Sequence, residues 1–195
     1  FQEQKVAKVV MAGKVGKEVV LTGIEMDADL KTVLAGLQAK HNDAILLALA
    51  EYFAKHGIEV EKQTVVLSHL LPGKGCLTGR VPTAREEADI RFGYRTAKEV
   101  AALNIGQSVV VKNGMVLAVE AMEGTDATIL RGGQLAGGGA VVVKVANPRQ
   151  DLRFDIPVIG PSTVAAVIQS RAAVLAFEAA AAFLLEKEAT IARAK

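Results

Sequence analysis

The sequence predicts an α/β protein, a mixed sheet with flanking helices, and three observations predict it. Two β-rich runs, residues 108–112 and 115–120, are joined by Asn113-Gly114, the pair best suited to a tight antiparallel hairpin. The run AVVVKVA at 140–146 is apolar at nearly every position, as a strand covered on both faces should be. Helical signals stand between these strands, so the two element types interleave along the chain.

The elements follow in order. Residues 6–12 read as a short buried strand ending at Gly13, and residues 28–38 as a helix. A clearer helix follows: Asn42 can cap it, Asp43 sits in its first turn, and Ile45, Leu49 and Phe53 recur at helical spacing. His56-Gly57 closes it, with Gly in the usual post-helix position. Residues 58–60 and 64–67 are β-prone pieces. Residues 71–82, LPGKGCLTGRVP, are dense in Gly and Pro and form a loop, the best internal boundary. Thr83-Ala84-Arg85-Glu86 has the form of a capping box and opens a helix to about Leu103, with Ala84, Ala88 and Phe92 on one face. After the hairpin, a short helix follows Asp126. The glycines at 132, 133 and 137–139 read as a turn into the 140–146 strand, since they lack the GK[ST] and the following helix of a P-loop. Residues 147–160 form a loop before a helix at 162–169, and the apolar 173–185 fits either strands or a helix.

Bulk composition narrows the function. The length of 195 residues allows one large domain or two small ones, and about half the residues are apolar. Lys and Arg number 23 against 21 Asp and Glu, and there is no Trp. A net charge near +2 and few aromatic rings argue against nucleic acid as a partner. Cys76 stands alone, so no internal disulfide forms, which fits a reducing compartment. The most apolar stretch, residues 172–185, contains Glu178 and is shorter than the ~20 residues a bilayer requires. The chain opens on Phe1 and runs almost at once into KVVMAGKV at 8–15, which reads as the middle of a domain.

Glu120, Glu123 and Asp126 carry the strongest chemical signal: three carboxylates within seven residues that leave a strand, pass Gly124 and enter a helix. Such a cluster can hold a hard cation such as Mg2+, and Thr125 with the first free helix N–H groups can meet a phosphate beside it. The plainer alternative is capping, with Thr125 as N-cap and Asp126 complementing the helix dipole. That explains one acid and not three. A second set is Lys144 with Asp151, Arg153 and Asp155, either a phosphate-neutralising group or a surface ion-pair set. Arg80, on its Gly-Pro loop, is an anion hook or a plain exposed arginine. His41, His56 and His69 lack metal-ligand spacing and read as structural or solvated.

Five segments then coincide in one order: HNDAILLALAEYFAKHGIEV, LTGRVPT, DIRFG, VVVKNGMVLAVEAMEGTDA and VKVANPRQDLRFDIPVIGP. Together they strongly resemble the LpxI family, UDP-2,3-diacylglucosamine pyrophosphatases of lipid A synthesis. The resemblance implies Mg2+-dependent hydrolysis of that substrate to UMP and 2,3-diacylglucosamine 1-phosphate (lipid X). It implies a bacterial cytoplasmic protein, peripheral contact with the inner membrane, and a homo-oligomer such as a dimer. The family's catalytic aspartate falls on Asp126, and Asp89, Arg91, Lys144, Asp151, Arg153 and Asp155 stand at matching positions that would shape the site. Taken with the residue readings above, Asp126 and Glu123 are the expected metal ligands, Thr125, Arg80, Lys144, Arg153 and Arg91 the expected phosphate contacts, and Glu120, Asp89, Asp151 and Asp155 the supporting residues. Family members carry a Rossmann-like N-terminal portion ahead of VVMAGKV. Residues 1–24 accordingly read as its remnant and 25–195 as the C-terminal catalytic domain, so weak binding of UDP is expected. His41-Asn42 stands where the family usually has Gly-Asp. The rival reading is a non-catalytic module that binds a nucleotide sugar or lipid.

Overall fold

In a computed structural model of the chain, the described residues are 1, 3–13, 27–35 and 42–195, without the side chains of Leu34, Asn42 and Asp43. The end of the helix expected at 28–38, the capping role of Asn42, the first-turn role of Asp43, and His41 lie outside that description. The chain divides into two compact units, Phe1–Ser68 with Asp151–Asp155, and His69–Gln150 with Ile156–Lys195.

In the first unit, β1 (Lys8–Val9) pairs in parallel with β2 (Glu59–Val60), placing Val9 opposite Val60. Between them run α1 (Ala28–Ala35) and α2 (Asn42–Lys55). Ala50, Val60 and Phe154 are buried together, with Val9, Met11, Leu46 and Phe53 packed around them. The core stripe of α2 is therefore Leu46, Ala50 and Phe53, shifted from the Ile45–Leu49 spacing. His56 Nδ1 bonds Tyr52 O at 2.8 Å, and Gly57 turns the chain at φ +73°, as the helix-end reading required. Residues 64–67 are not a strand: α3 spans Gln63–Val66. β propensity is expressed where a partner strand and an apolar face receive the side chain, and Val65 and Val66 are exposed instead.

The second unit is built on a four-stranded sheet of β3 (Ser108–Lys112), β4 (Met115–Val119), β5 (Val141–Lys144) and β7 (Val174–Phe177). Their order is β4-β3-β5-β7; the first two pairings are antiparallel and the third is parallel. A smaller parallel pair joins β6 (Val158–Ile159) to β8 (Phe183–Leu184), so residues 173–185 hold two strands and no helix. The hairpin turn has Asn113 at φ +54° and Gly114 at φ +74°, the double positive φ that a type I′ turn demands.

Alternation assigns the faces. Val109, Val111, Val141 and Val143 pack on Ala97 and Ala101 of α4 (Ala84–Ala102). Val110 and Val142 pack on Ile129 of α5 (Thr125–Ala136) and Ala166 of α6 (Pro161–Gln169). A final helix, α7, spans Lys187–Arg193. Each such valine is worth about 1.5–3 kcal/mol when fully buried. The expected face of α4 needs correcting: Ala84 and Ala88 are exposed, and the buried row is Asp89, Gly93, Ala97 and Ala101. The glycines need correcting as well. Gly132 and Gly133 lie buried inside α5, and only Gly137–Gly139 form the turn. A Cβ on Gly132 would stand 2.6 Å from Val110 Cβ, so the helix reaches the sheet only because that position has none.

Candidate active site

The end of the sheet opposite the hairpin turn collects the expected acids. β4 stops at Val119, and the Glu120 amide still bonds Ser108 O at 2.9 Å. The chain then turns through Ala121–Gly124 and enters α5 at Thr125. The N-cap is Gly124, at φ +80°, a conformation open to glycine and costly for other residues, and it offers no side-chain cap. Thr125 is thus the first residue of the helix rather than its N-cap.

Two of the three acids are engaged. Glu123 Oε1 accepts from Arg131 Nη2 at 2.6 Å and from Thr128 Oγ1 at 3.2 Å, while Oε2 accepts from the Ala121 amide at 3.2 Å. Arg131 also donates to Val119 O at 3.0 Å, tying the strand end to the helix. The Arg131 guanidinium holds the Glu123 carboxyl below its ordinary range. Glu120 Oε1 accepts from Thr125 Oγ1 at 3.0 Å, and its Oε2 from the Gln107 amide at 3.3 Å. Asp126 is exposed, and among the described residues its carboxylate has no hydrogen-bond or ion-pair partner.

Lys144, at the end of β5, is buried and reaches the same place. Its Nζ donates to Thr125 Oγ1 at 2.9 Å and to Val158 O at 3.1 Å. The result is a chain from ammonium to hydroxyl to carboxylate, Lys144 to Thr125 to Glu120, under the first turn of α5. A fixed cation, a hydroxyl and free helix N–H groups suit the oxygens of a phosphoryl group. Asp126 leaves one free carboxylate at the same turn.

Each of the remaining expected residues has a partner of its own. Asp89 is buried and accepts from the amides of Asn113 at 2.8 Å and Gly114 at 2.7 Å, so it braces the hairpin turn at the other end of the strands. Nη1 and Nη2 of Arg80 both donate to the Glu86 carboxylate, which also closes the capping box with Thr83. Arg91 pairs with Glu87 at 3.4 Å along α4. Arg153 and Asp151 belong to the first unit and bond each other through four contacts of 2.7–3.2 Å, three from the guanidinium and one from the Arg153 amide. That pairing lowers the Asp151 carboxyl and raises the Arg153 guanidinium. Asp155, in the same unit, has φ +57°.

Three contributors escaped the sequence reading. Arg131 sits eight residues beyond Glu123 and resembles any helix arginine. Glu178, noted only as an interruption of an apolar run, accepts from Lys98, Tyr94 and the Ala146 amide. Burial pushes its carboxyl up, but these donors outweigh that and hold it below its ordinary range. Ser108 reads as one more strand residue.

Against known families, the profile of the LpxI C-terminal domain matches residues 73–195, and that of the LpxI N-terminal domain matches residues 1–70. The chain belongs to the LpxI family. The LpxI changeover at 70–73 meets the start of the Gly- and Pro-rich loop. A UDP-2,3-diacylglucosamine pyrophosphatase LpxI of Caulobacter vibrioides is 36% identical over 163 residues, covering 80% of this chain and 58% of the relative. The chain therefore matches less than two thirds of that relative's length. EGTD at 123–126 and QDLRFDIP at 150–157 both lie within the stretch that the C-terminal profile matches. Among the described residues, no three His, Cys, Asp or Glu side chains gather into a metal cluster, and no helix is long and apolar enough to cross a membrane.

Proposed function

We propose that this protein hydrolyses the pyrophosphate bond of UDP-2,3-diacylglucosamine, adding water to release UMP and 2,3-diacylglucosamine 1-phosphate. The observation that carries the reading is the division of labour among the acids. Glu123 is held by Arg131 and Glu120 by Thr125, which among the described residues leaves the Asp126 carboxylate free at the first turn of α5. The name of the Caulobacter relative supplies the substrate.

The donor set suits Mg2+, which is commonly held by one or two carboxylates plus substrate phosphates and keeps much of its water. Asp126 would hold it, and the ion would supply Lewis-acid stabilisation at a phosphoryl oxygen. Lys144 and the α5 N–H groups would meet the remaining phosphoryl oxygens, where charge builds in the transition state. Before the ligand binds, Thr125 and Glu120 keep the Lys144 ammonium aimed at that position. Among the described residues Asp126 is the acid of the three without a partner, which supports it as the group that takes the proton of the attacking water. The substrate carries two acyl chains, so we infer that a cytoplasmic form of this protein takes it from the inner-membrane surface.

The test is product analysis with and without Mg2+, for this chain and for Asp126→Ala. The wild type is expected to release UMP with Mg2+, and Asp126→Ala to lose about 10²–10⁴-fold, the usual range for a catalytic acid or base. Substrate binding with no UMP from the wild type would favour a non-catalytic module. Wild-type rates from Asp126→Ala would remove Asp126 from its role.

A further inference from the structure

Ser108 is the one buried side-chain polar atom among the described residues with no hydrogen-bond partner. Its residue is fully buried, and an unsatisfied buried hydroxyl costs roughly 1–3 kcal/mol, so the fold has a reason to remove it. Alanine or valine would satisfy the strand better, and Val109, Val110 and Val111 follow directly.

The position of Ser108 explains why a hydroxyl stays there. It pairs in register with Lys144 across β3 and β5, so the two side chains leave the sheet on the same face. That face is the α5 face. Val110 lies against Gly132, and Lys112 Nζ donates to Ala136 O and Gly138 O at 2.7 Å each. Two strand residues thus advance about four helix residues, which sets Ser108 beneath the first turn of α5, near Thr128. The hydroxyl therefore stands beside Lys144 and under the helix turn that carries Thr125 and Asp126.

We propose that Ser108 is a positioning residue whose hydroxyl accepts a hydrogen bond from Lys144 Nζ when a phosphoryl group draws the Thr125 hydroxyl away. This rests on the phosphoryl chemistry proposed above. In the ligand-free protein Lys144 Nζ bonds Thr125 Oγ1, whose own proton goes to Glu120. A ligand oxygen that accepts a hydrogen bond from Thr125 Oγ1 reorients that hydroxyl and weakens the bond it accepts from the Lys144 ammonium, whose three N–H donors leave room for Ser108 Oγ beside a phosphoryl oxygen. Ser108 supplies the replacement. Its lack of a partner in the ligand-free state is the condition for being available.

Ser108→Ala tests this with three readouts: the ligand-free melting temperature, kcat/KM, and the rise in melting temperature with inorganic pyrophosphate. The expected result is an unchanged or higher ligand-free melting temperature, a loss of about 10- to 100-fold in kcat/KM as for a hydrogen bond to a charged group, and a smaller pyrophosphate shift. Ser108→Cys keeps the volume but accepts weakly, and is expected to share the loss. Wild-type kcat/KM and pyrophosphate shift in Ser108→Ala overturn the proposal while leaving the function intact. So does failure of Ser108→Ala to fold, because a hydroxyl without a partner has no bond to lose. A wild type that gives no product, yet shows a pyrophosphate shift that Ser108→Ala loses, removes the proposed reaction and keeps the role of Ser108. Neither product nor shift from the wild type removes both.

Discussion

Lys144 Nζ donates to the Thr125 hydroxyl at 2.9 Å, so a buried cation at the end of one strand is tied to the first residue of the helix that follows another. The bond joins two residues 19 apart in sequence and fixes the ammonium under free helix N–H groups. A buried lysine flanked by a hydroxyl and a carbonyl is a costly arrangement for stability alone.

Lys144→Met tests what that cost supports. Methionine keeps much of the stem and its packing but removes the charge. Replacing a buried charged group with an apolar one of similar volume is often neutral or stabilising. The expected outcome is a melting temperature within a few degrees of the wild type, with UMP release reduced about 100-fold or more. A large fall in melting temperature with activity per folded molecule retained would make Lys144 a structural residue.

Glu123 gives the pH prediction. Its carboxyl is held low chiefly by Arg131, so its contribution to stability is fully present above the unfolded value near 4.5 and is lost as pH falls through the folded value. Glu123→Gln should therefore be less stable than the wild type at pH 7, by about 0.5–1 kcal/mol for a partly exposed pair. The difference should shrink once pH drops below 4.5. Urea midpoints of both proteins across that range check it. A gap that widens with acid would contradict the Arg131 assignment.

Legibility in the sequence followed the range of the interactions involved. The hairpin at Asn113-Gly114 and the capping box at Thr83 and Glu86 are local, so residue type alone predicts them. Three strands of the sheet followed from β-rich and apolar runs, whereas β7 lay in an apolar stretch that fits strands or a helix. Residues 64–67 misled because β-branched side chains count as strand only when another strand accepts them. Gly132 and Gly133 misled because their purpose is contact with Val110 and Ser170, residues distant in sequence. At the site, spacing brought out Glu120, Glu123 and Asp126 as a group, but not which of them was free. That depends on Arg131 and Thr125, whose partners only the fold brings together. Arg80 read as an anion hook or a plain exposed arginine, and the fold pairs it with Glu86, while Arg91 pairs with Glu87 one turn away on α4.

Asp89 separates bracing from chemistry. Its carboxylate accepts two turn amides at 2.7 and 2.8 Å while 5% exposed. Asp89→Ala would strand both N–H groups and should cost about 2–4 kcal/mol in urea unfolding. KM and kcat per folded molecule should stay near the wild type at low temperature, because the turn lies at the opposite end of β3 and β4 from Asp126. A selective collapse of kcat in a stable Asp89→Ala protein would place Asp89 in the chemistry instead.

Gly132 sets two effects of opposite sign against each other. Alanine in the middle of a helix is favoured over glycine by about 0.8–1 kcal/mol. The new Cβ, however, would lie 2.6 Å from Val110 Cβ and 2.6–2.7 Å from its methyl carbons. Val110 is fully buried in a central strand, so it cannot swing aside. Overpacking of this kind typically costs about 1–3 kcal/mol and displaces backbone. The packing term should win, making Gly132→Ala less stable by about 1–2 kcal/mol net. The same displacement would lift α5 from the sheet and loosen the Lys144–Thr125 bond, so kcat/KM should fall with stability. Val110→Ala added to Gly132→Ala removes the colliding methyls, and the double variant should recover part of both losses. If it recovers neither, helix-to-sheet contact at this point is not what requires the glycine.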